Sequence, residues 1–376
     1  MEPLEKKIFN NAKRVVIKVG SALITGKKSN LINKKILNNI VSEIKLLNNV
    51  KKEVLLVSSG ALTLGRKHLN LKNINLKVSE KQAIASVGQV LLMNAWKEAF
   101  LDHDINCGQI LLTHLDAEVR SSAINARNTI ESLIKYGIVP IINENDSVAT
   151  KELRYGDNDQ LAARVAQIAS ANLLVLLSDV DGLYTANPSK NKNAKLIKRI
   201  YKISKSIEKA SENTSSSTAV GGMETKVKAA KIALASGCNM VITKGSKSNL
   251  FSSIFKDNKA TWFISKTSPK SARKKWISSQ MTVKGKIKVD KGAENALKEG
   301  ASLLPSGIIS ISGSFEKGDA INVLNKRNEV ICIGLSSYPS KDIKKIAGFK
   351  STEIENLLGY HSKDVIIHRD DMVIRK

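Results

Sequence analysis

The stretch "GIVPIINENDSVATKELRYGDNDQ" (residues 137–160) runs from an apolar segment into a string of carboxylates and carboxamides. Glu144, Asp146, Asp157 and Asp159 stand there among Asn143, Asn145 and Asn158, in a chain otherwise rich in lysine. A surface loop can be acidic by chance. Two similar clusters, NEND and GDND, each set against an apolar element, instead describe a polar site held at the ends of rigid elements. The residues before NEND read as a strand apolar on both faces, and residues 159–170 after GDND as a helix.

The same alternation extends outward in both directions. "RVVIKVG" (14–20), "EVLLVSSG" (53–60), "GQILLT" (108–113), "ANLLVLLSD" (171–179) and "NMVITKG" (239–245) are further apolar strands. Helical patterns occupy 33–49, 79–102, 120–135 and 223–237; in the second, Ile84, Val87, Leu91 and Ala95 fall at helical spacing. Strands apolar on both faces and interleaved with helices predict an α/β fold, a three-layer sandwich with a mostly parallel central sheet. Residues 1–264 form this first domain. The polar, basic "SKTSPKSARKKWISSQ" (265–280) suits a linker, and residues 281–376 alternate short strands with glycine turns and one helix near 292–299, a small mainly-β domain.

A length of 376 residues fits two domains. No run of about twenty apolar residues exists, so no membrane span is expected. The N-terminus lacks an apolar signal-peptide segment before its first strand. Cys107, Cys238 and Cys332 match neither a disulfide framework nor a metal site, which points to a reducing cytoplasm. The net charge of +26 comes mostly from lysine, with only eleven arginines, and is spread along the chain. A solvated lysine surface is the main reading; it draws anionic substrates, with nucleic-acid binding the minority reading.

In open α/β sheets ligands bind beyond the carboxyl ends of the strands. Those ends supply Lys18, Gly20 and Ser21, then Ser58, Ser59, Gly60 and Ala61. Small residues let anions approach backbone amides, although a tight turn explains SSGA equally well. Lys18 inside an apolar strand needs an anion beside it. Asp159 alone reads as a helix N-cap. Aspartates with asparagines can accept from an ammonium and donate to a carboxylate, as an amino-acid ligand requires. "AVGGMETK" (219–226) opens a helix with Gly221 and Gly222 and places Lys226 in its first turn. Lys18 and Lys226 can flank a phosphoryl group in transfer, with an aspartate between them holding both heads. A carboxylate acceptor needs no general base, being ionised at neutral pH.

With these segments in view, the chain resembles the amino-acid kinase family, and within it the kinases of glutamate. The marks are "VVIKVGSALIT", "LLVSSGA", "VGQ" (87–89), "NARNT", "VPIINENDSV", "GDNDQLAARVA", "DGLYTANP" and "GGMETK". The trailing module, with "EGASLLPSGI" and "YHSKDVIIHRDDMV", looks like a PUA domain.

The resemblance implies ATP-dependent phosphorylation of the L-glutamate side-chain carboxylate to γ-glutamyl phosphate, the first step of proline biosynthesis, with Mg2+ on the phosphates. It implies Lys18, Lys226 and Asp159 as catalytic residues. Ser59, Asp146 and Asn158 would bind glutamate, with Gly60, Asn143 and Asp157 nearby. Lys18, Ser178, Asp179 and the run Val220, Gly221, Gly222, Met223, Glu224, Thr225 and Lys226 would contact ATP. Proline as a feedback inhibitor, a homo-oligomer, handover of the labile product to the next enzyme and RNA binding by the PUA domain are further expectations of this kind. Kinases of the same fold acting on acetylglutamate, aspartate or UMP are the near alternatives; NEND with GDND and the trailing module argue against them. An RNA-binding protein is the alternative of a different class. One departure is visible: Ala219-Val220 stand where the family often has Gly-Thr, after a serine-rich "SENTSSSTAV".

Overall fold

The structure is a computed structural model that describes residues 2–25, 32–71, 76–149, 158–188, 190–213, 222–246, 250–279 and 282–375. The chain divides into two compact units, Met1–Pro269 and Lys270–Lys376.

In the first unit the order is α1 (Leu4–Asn11), β1 (Arg14–Val19), α2 (Ser21–Thr25), α3 (Lys34–Asn49), β2 (Glu53–Ser58), α4 (Ala61–His68), α5 (Val78–Leu101), β3 (Cys107–Leu112), α6 (His114–Glu118), α7 (Arg120–Lys135) and β4 (Val139–Glu144). It continues with α8 (Asn158–Ile168), β5 (Leu173–Ser178), β6 (Arg199–Ile200), α9 (Lys205–Asn213), α10 (Met223–Ala235), β7 (Asn239–Lys244), α11 (Leu250–Lys256) and β8 (Ala260–Phe263). Among the described residues the strands form one sheet in the order β3-β4-β2-β1-β5-β7-β8-β6. Pairing is parallel from β3 through β7, whereas β8 runs antiparallel to β7.

The strands are apolar on both faces because each face meets a helical layer. Val15, Ile17 and Val19 of β1 pack into one core with Leu37, Ile40 and Ile44 of α3 and Leu92 and Trp96 of α5. Val16, one residue out of phase, packs into the opposite core with Leu161 and Val165 of α8 and Val227 and Ala230 of α10. Three layers result, as the alternation of the sequence predicts. Period-2 geometry then puts Lys18 on the same face as Val16, toward α8 and α10.

Helix α5 differs from expectation in which stripe it buries. Ile84 and Ala95 are buried, but Val87 is 37% exposed, and the buried face runs through Ala85, Gly88, Leu92, Trp96 and Ala99. The cause is a reciprocal glycine contact with α4. A Cβ on Gly88 would lie 1.8 Å from the Ala61 carbonyl oxygen, and one on Gly65 would lie 1.9 Å from that of Ile84. Helix propensity alone favours Gly88→Ala by about 1 kcal/mol. Overlap with backbone outweighs it, so Gly88→Ala is expected to cost about 3 kcal/mol, read as a lower denaturation midpoint. An unchanged or raised midpoint would contradict this packing.

Helix α12 (Pro269–Ser279) starts on the last residue of the first unit, and the second unit continues with β9 (Val283–Val289), α13 (Lys291–Lys298), β10 (Ile308–Gly313), β11 (Ala320–Leu324), β12 (Val330–Leu335), α14 (Ser340–Ile346), α15 (Ile354–Leu358) and β13 (Met372–Ile374). Its sheet has the order β10-β9-β11-β12-β13 around a core that includes Ile287, Val289, Phe315, Ile321 and Tyr338. The segment expected as a linker, 265–280, is helical over Pro269–Ser279. Its polar composition hides two helix signals. Pro269 takes the first position, where a missing N–H costs nothing, and Ile277 is fully buried.

Candidate active site

The sheet order reverses beside β1: the chain builds β2, β3 and β4 on one side of it, then crosses to β5 on the other. Ligands of open α/β sheets bind at the carboxyl ends of strands near such a reversal. Here β1 ends after Lys18, β2 at Ser58, β4 at Glu144 and β5 at Ser178.

Lys18 and Lys226 are 6% and 7% exposed, and they meet on Asp159, which is 1% exposed. Lys18 Nζ lies 2.5 Å from Asp159 Oδ1, and Lys226 Nζ lies 3.0 Å from Oδ2. Each carboxylate oxygen therefore faces one ammonium. Burial alone would push the Asp159 carboxyl up; the Lys18 and Lys226 charges outweigh it and hold the group at about 2. Asp159 also sits in the first turn of α8, where the helix dipole favours an anion. Its role is thus more than the capping that a lone aspartate suggests. Two desolvated ammoniums remain fixed side by side, one from β1 and one from the first turn of α10.

Beside this cluster lies a network of amides. Asn158 Nδ2 is 2.9 Å from the Ser58 carbonyl oxygen, 3.0 Å from Ser59 Oγ and 2.7 Å from Asn143 Oδ1. Asn143 Nδ2 in turn donates to Gln89 Oε1 at 2.7 Å. Trp96 Nε1 donates to Ser58 Oγ at 2.8 Å, tying the end of β2 to α5. Gly60 follows with φ of 113°, a left-handed conformation that favours glycine, and turns the chain directly into α4.

Other expected residues are placed as follows. Asp146 stands on the turn after β4, and burial pushes its carboxyl up to about 6. Ser178 ends β5 and its hydroxyl donates to Asp179 Oδ1 at 3.2 Å. Gly222 is the N-cap of α10. Thr225 Oγ1 lies 2.8 Å from the Gly222 carbonyl oxygen and 3.2 Å from Asp159 Oδ2, so it joins the lysine cluster. Met223 packs into the core, and Glu224 pairs with Lys228 at 2.7 Å on the exposed side of the helix. Asp157, Val220 and Gly221 lie outside the described residues. The sequence reading passed over Gln89 as a site residue; its only signal was a place in the VGQ segment.

A pair of lysines set on one aspartate at the carboxyl edge of a parallel sheet, beside an amide network, gives this α/β protein a place where an anion can bind. Residues 13–244 match the amino acid kinase family and residues 285–358 match the PUA domain. The chain belongs to the amino acid kinase family and, within it, groups with the glutamate 5-kinases. The glutamate 5-kinase of Pelagibacter ubique is 50% identical over 365 residues, covering 97% of this chain and 99% of that protein. The glutamate 5-kinases of Rhizobium johnstonii and Sinorhizobium fredii are each 47% identical, covering 98% and 100% of this chain and 95% and 94% of their own lengths.

Proposed function

We propose that this kinase transfers the γ-phosphoryl group of ATP to the side-chain carboxylate of L-glutamate, giving γ-glutamyl phosphate and ADP, the step that opens proline biosynthesis. The observation that carries the reading is the Lys18–Asp159–Lys226 cluster next to the Asn143–Asn158–Ser59 network; relatives bearing this activity in their name support it. A glutamate carboxylate oxygen attacks the γ-phosphorus in line, the bond to the β–γ bridging oxygen breaks, and ADP leaves with its electron pair. The two ammoniums offset charge on the transferred group's oxygens, already oriented before transfer begins. No base is required, because the acceptor is ionised at neutral pH.

Among the described residues no group of three His, Cys, Asp or Glu could hold a metal, and both Asp159 oxygens face lysines. Magnesium entering with the nucleotide would add charge neutralisation to that of Lys18 and Lys226. Among the described residues no helix is long and apolar enough to cross a membrane. Cytoplasmic location, proline as feedback inhibitor, a homo-oligomer, product handover and RNA binding by the PUA domain belong to the same reading and rest on the family resemblance. A polar concavity of about 380 Å³ in the second unit is lined by Lys286, Lys288, Ser310, Ser312, Asn322 and neighbours, without an aromatic ring for base stacking.

The reading is tested by coupled ADP release with glutamate, acetylglutamate, aspartate and UMP offered separately. Glutamate should give the highest kcat/KM; preference for another acceptor would overturn the assignment. A pH dependence follows from Asp146. If its carboxylate holds the glutamate ammonium, only the ionised form binds, and kcat/KM should fall as pH drops through about 6. The limiting slope is about tenfold per pH unit, and an unperturbed glutamate side-chain carboxyl, ionising at about 4.3, does not interfere. Asp146→Asn should lower the plateau and flatten that limb. An unchanged acid limb in this variant would remove Asp146 from the ammonium site.

A further inference from the structure

The amide network has a fixed direction, and that direction exposes a donor with no assigned task. The Ser58 carbonyl oxygen can only accept, so the Asn158 amide must turn its Nδ2 toward it at 2.9 Å. The same Nδ2 faces Asn143, which must therefore present Oδ1. Asn143 Nδ2 then points to Gln89, which must present Oε1. One backbone carbonyl thereby sets the orientation of all three carboxamides. The relay leaves two ends over. Asn158 Oδ1 is a buried acceptor, and Gln89 Nε2 a buried donor, each without a hydrogen-bond partner among the described residues. A buried amide left unpaired costs on the order of 1–3 kcal/mol, so each end calls for a ligand group.

We propose that Gln89 is a substrate-binding and specificity-determining residue whose Nε2 donates to the α-carboxylate of the acceptor amino acid, while Asn158 Oδ1 accepts from its ammonium. The inference rests on the glutamate-kinase reading and adds the residue that recognises the end of the substrate remote from transfer. Asn158 adjoins Asp159 at the start of α8, the aspartate on which both lysines meet. Gln89 is two amides further along, where the non-reacting carboxylate belongs. The backbone behind it is held by the close contact of Gly88 with Ala61 and Gly65, so the donor rests on packed helix. Preorganised donors of this kind discriminate strongly, because an analogue lacking the matching group leaves them unpaired.

Gln89→Glu separates recognition from structure. A glutamate side chain there still accepts from Asn143 Nδ2, so the relay keeps its direction, but the donor becomes a negatively charged oxygen. At neutral pH the KM for glutamate should rise about thirtyfold or more, with kcat within about threefold and the KM for ATP unchanged. Gln89→Met, of similar shape and lacking both groups, should raise the same KM and leave ATP untouched. Use of 4-aminobutyrate, which lacks the α-carboxylate, should be equally poor in the unsubstituted enzyme and both variants. A glutamate KM within about threefold of the original in Gln89→Glu overturns the proposal, as does a loss confined to kcat. Absence of glutamate-dependent ADP release from the unsubstituted enzyme would instead overturn the functional reading itself.

Discussion

Lys18→Ala and Lys226→Ala are each expected to lower kcat by about a thousandfold while moving the glutamate KM by less than about fivefold. The split follows from where the charges stand. Both ammoniums are buried against Asp159, whereas the amides that would hold the amino acid bond to one another and to the end of β2. Their attraction is worth most when charge shifts from the γ-phosphoryl oxygens to the departing ADP, and less in the ground state. Lysine to arginine is no rescue, since a planar fork cannot occupy the space of a point charge 2.5 Å from Asp159 Oδ1. Steady-state kinetics on folded variants decide the matter. Near-normal turnover in either variant would remove that lysine from the transfer step.

The second large effect concerns Asp159. Asp159→Ala leaves two buried ammoniums without their shared anion, and breaking a buried ionic group in this way costs about 3–5 kcal/mol. Turnover should fall by at least about a hundredfold as well, because neither lysine is then held in position. The stability loss has a sign that can be checked against pH. Burial raises the Asp159 carboxyl, but the lysines win and place it at about 2, below the 3.8 of an unperturbed aspartate. A depressed carboxylate stabilises the fold above its unfolded pKa, and this contribution is lost as pH falls through about 2. The difference in denaturation midpoint between wild type and Asp159→Ala should therefore be full at neutral pH and shrink only in strong acid. A variant as stable as wild type at pH 7 would show that the lysines do not depend on this carboxylate.

Much of this architecture is legible in the residues themselves. Doubly apolar strands such as "ANLLVLLSD" announce a sheet covered on both faces, and a lysine at position 18 in such a strand demands a buried anion. Lys226 and Asp159 follow because each opens a helix next to a polar loop. What stayed hidden depends on contacts between distant segments. The buried stripe of α5 is decided by Gly65 meeting Ile84 and Gly88 meeting Ala61, a steric event that periodicity does not encode. Gln89 acquires its place only through that same approach. The antiparallel strand β8 and the helix at Pro269–Ser279 were obscured by short length and polar composition respectively. Asn158 and Asn143 were recognised as polar ligands, but the direction of their amides depends on the Ser58 carbonyl, a backbone atom common to every sequence.

The most direct test follows the phosphoryl group itself. Enzyme, glutamate and ATP labelled at the γ-phosphorus are incubated with hydroxylamine, which converts an acyl phosphate into a stable hydroxamate and releases labelled phosphate. The account predicts one γ-glutamyl hydroxamate for each ADP formed, with neither product in the absence of glutamate. ADP formed without hydroxamate, or at a rate indifferent to glutamate, would contradict phosphoryl transfer to the side-chain carboxylate.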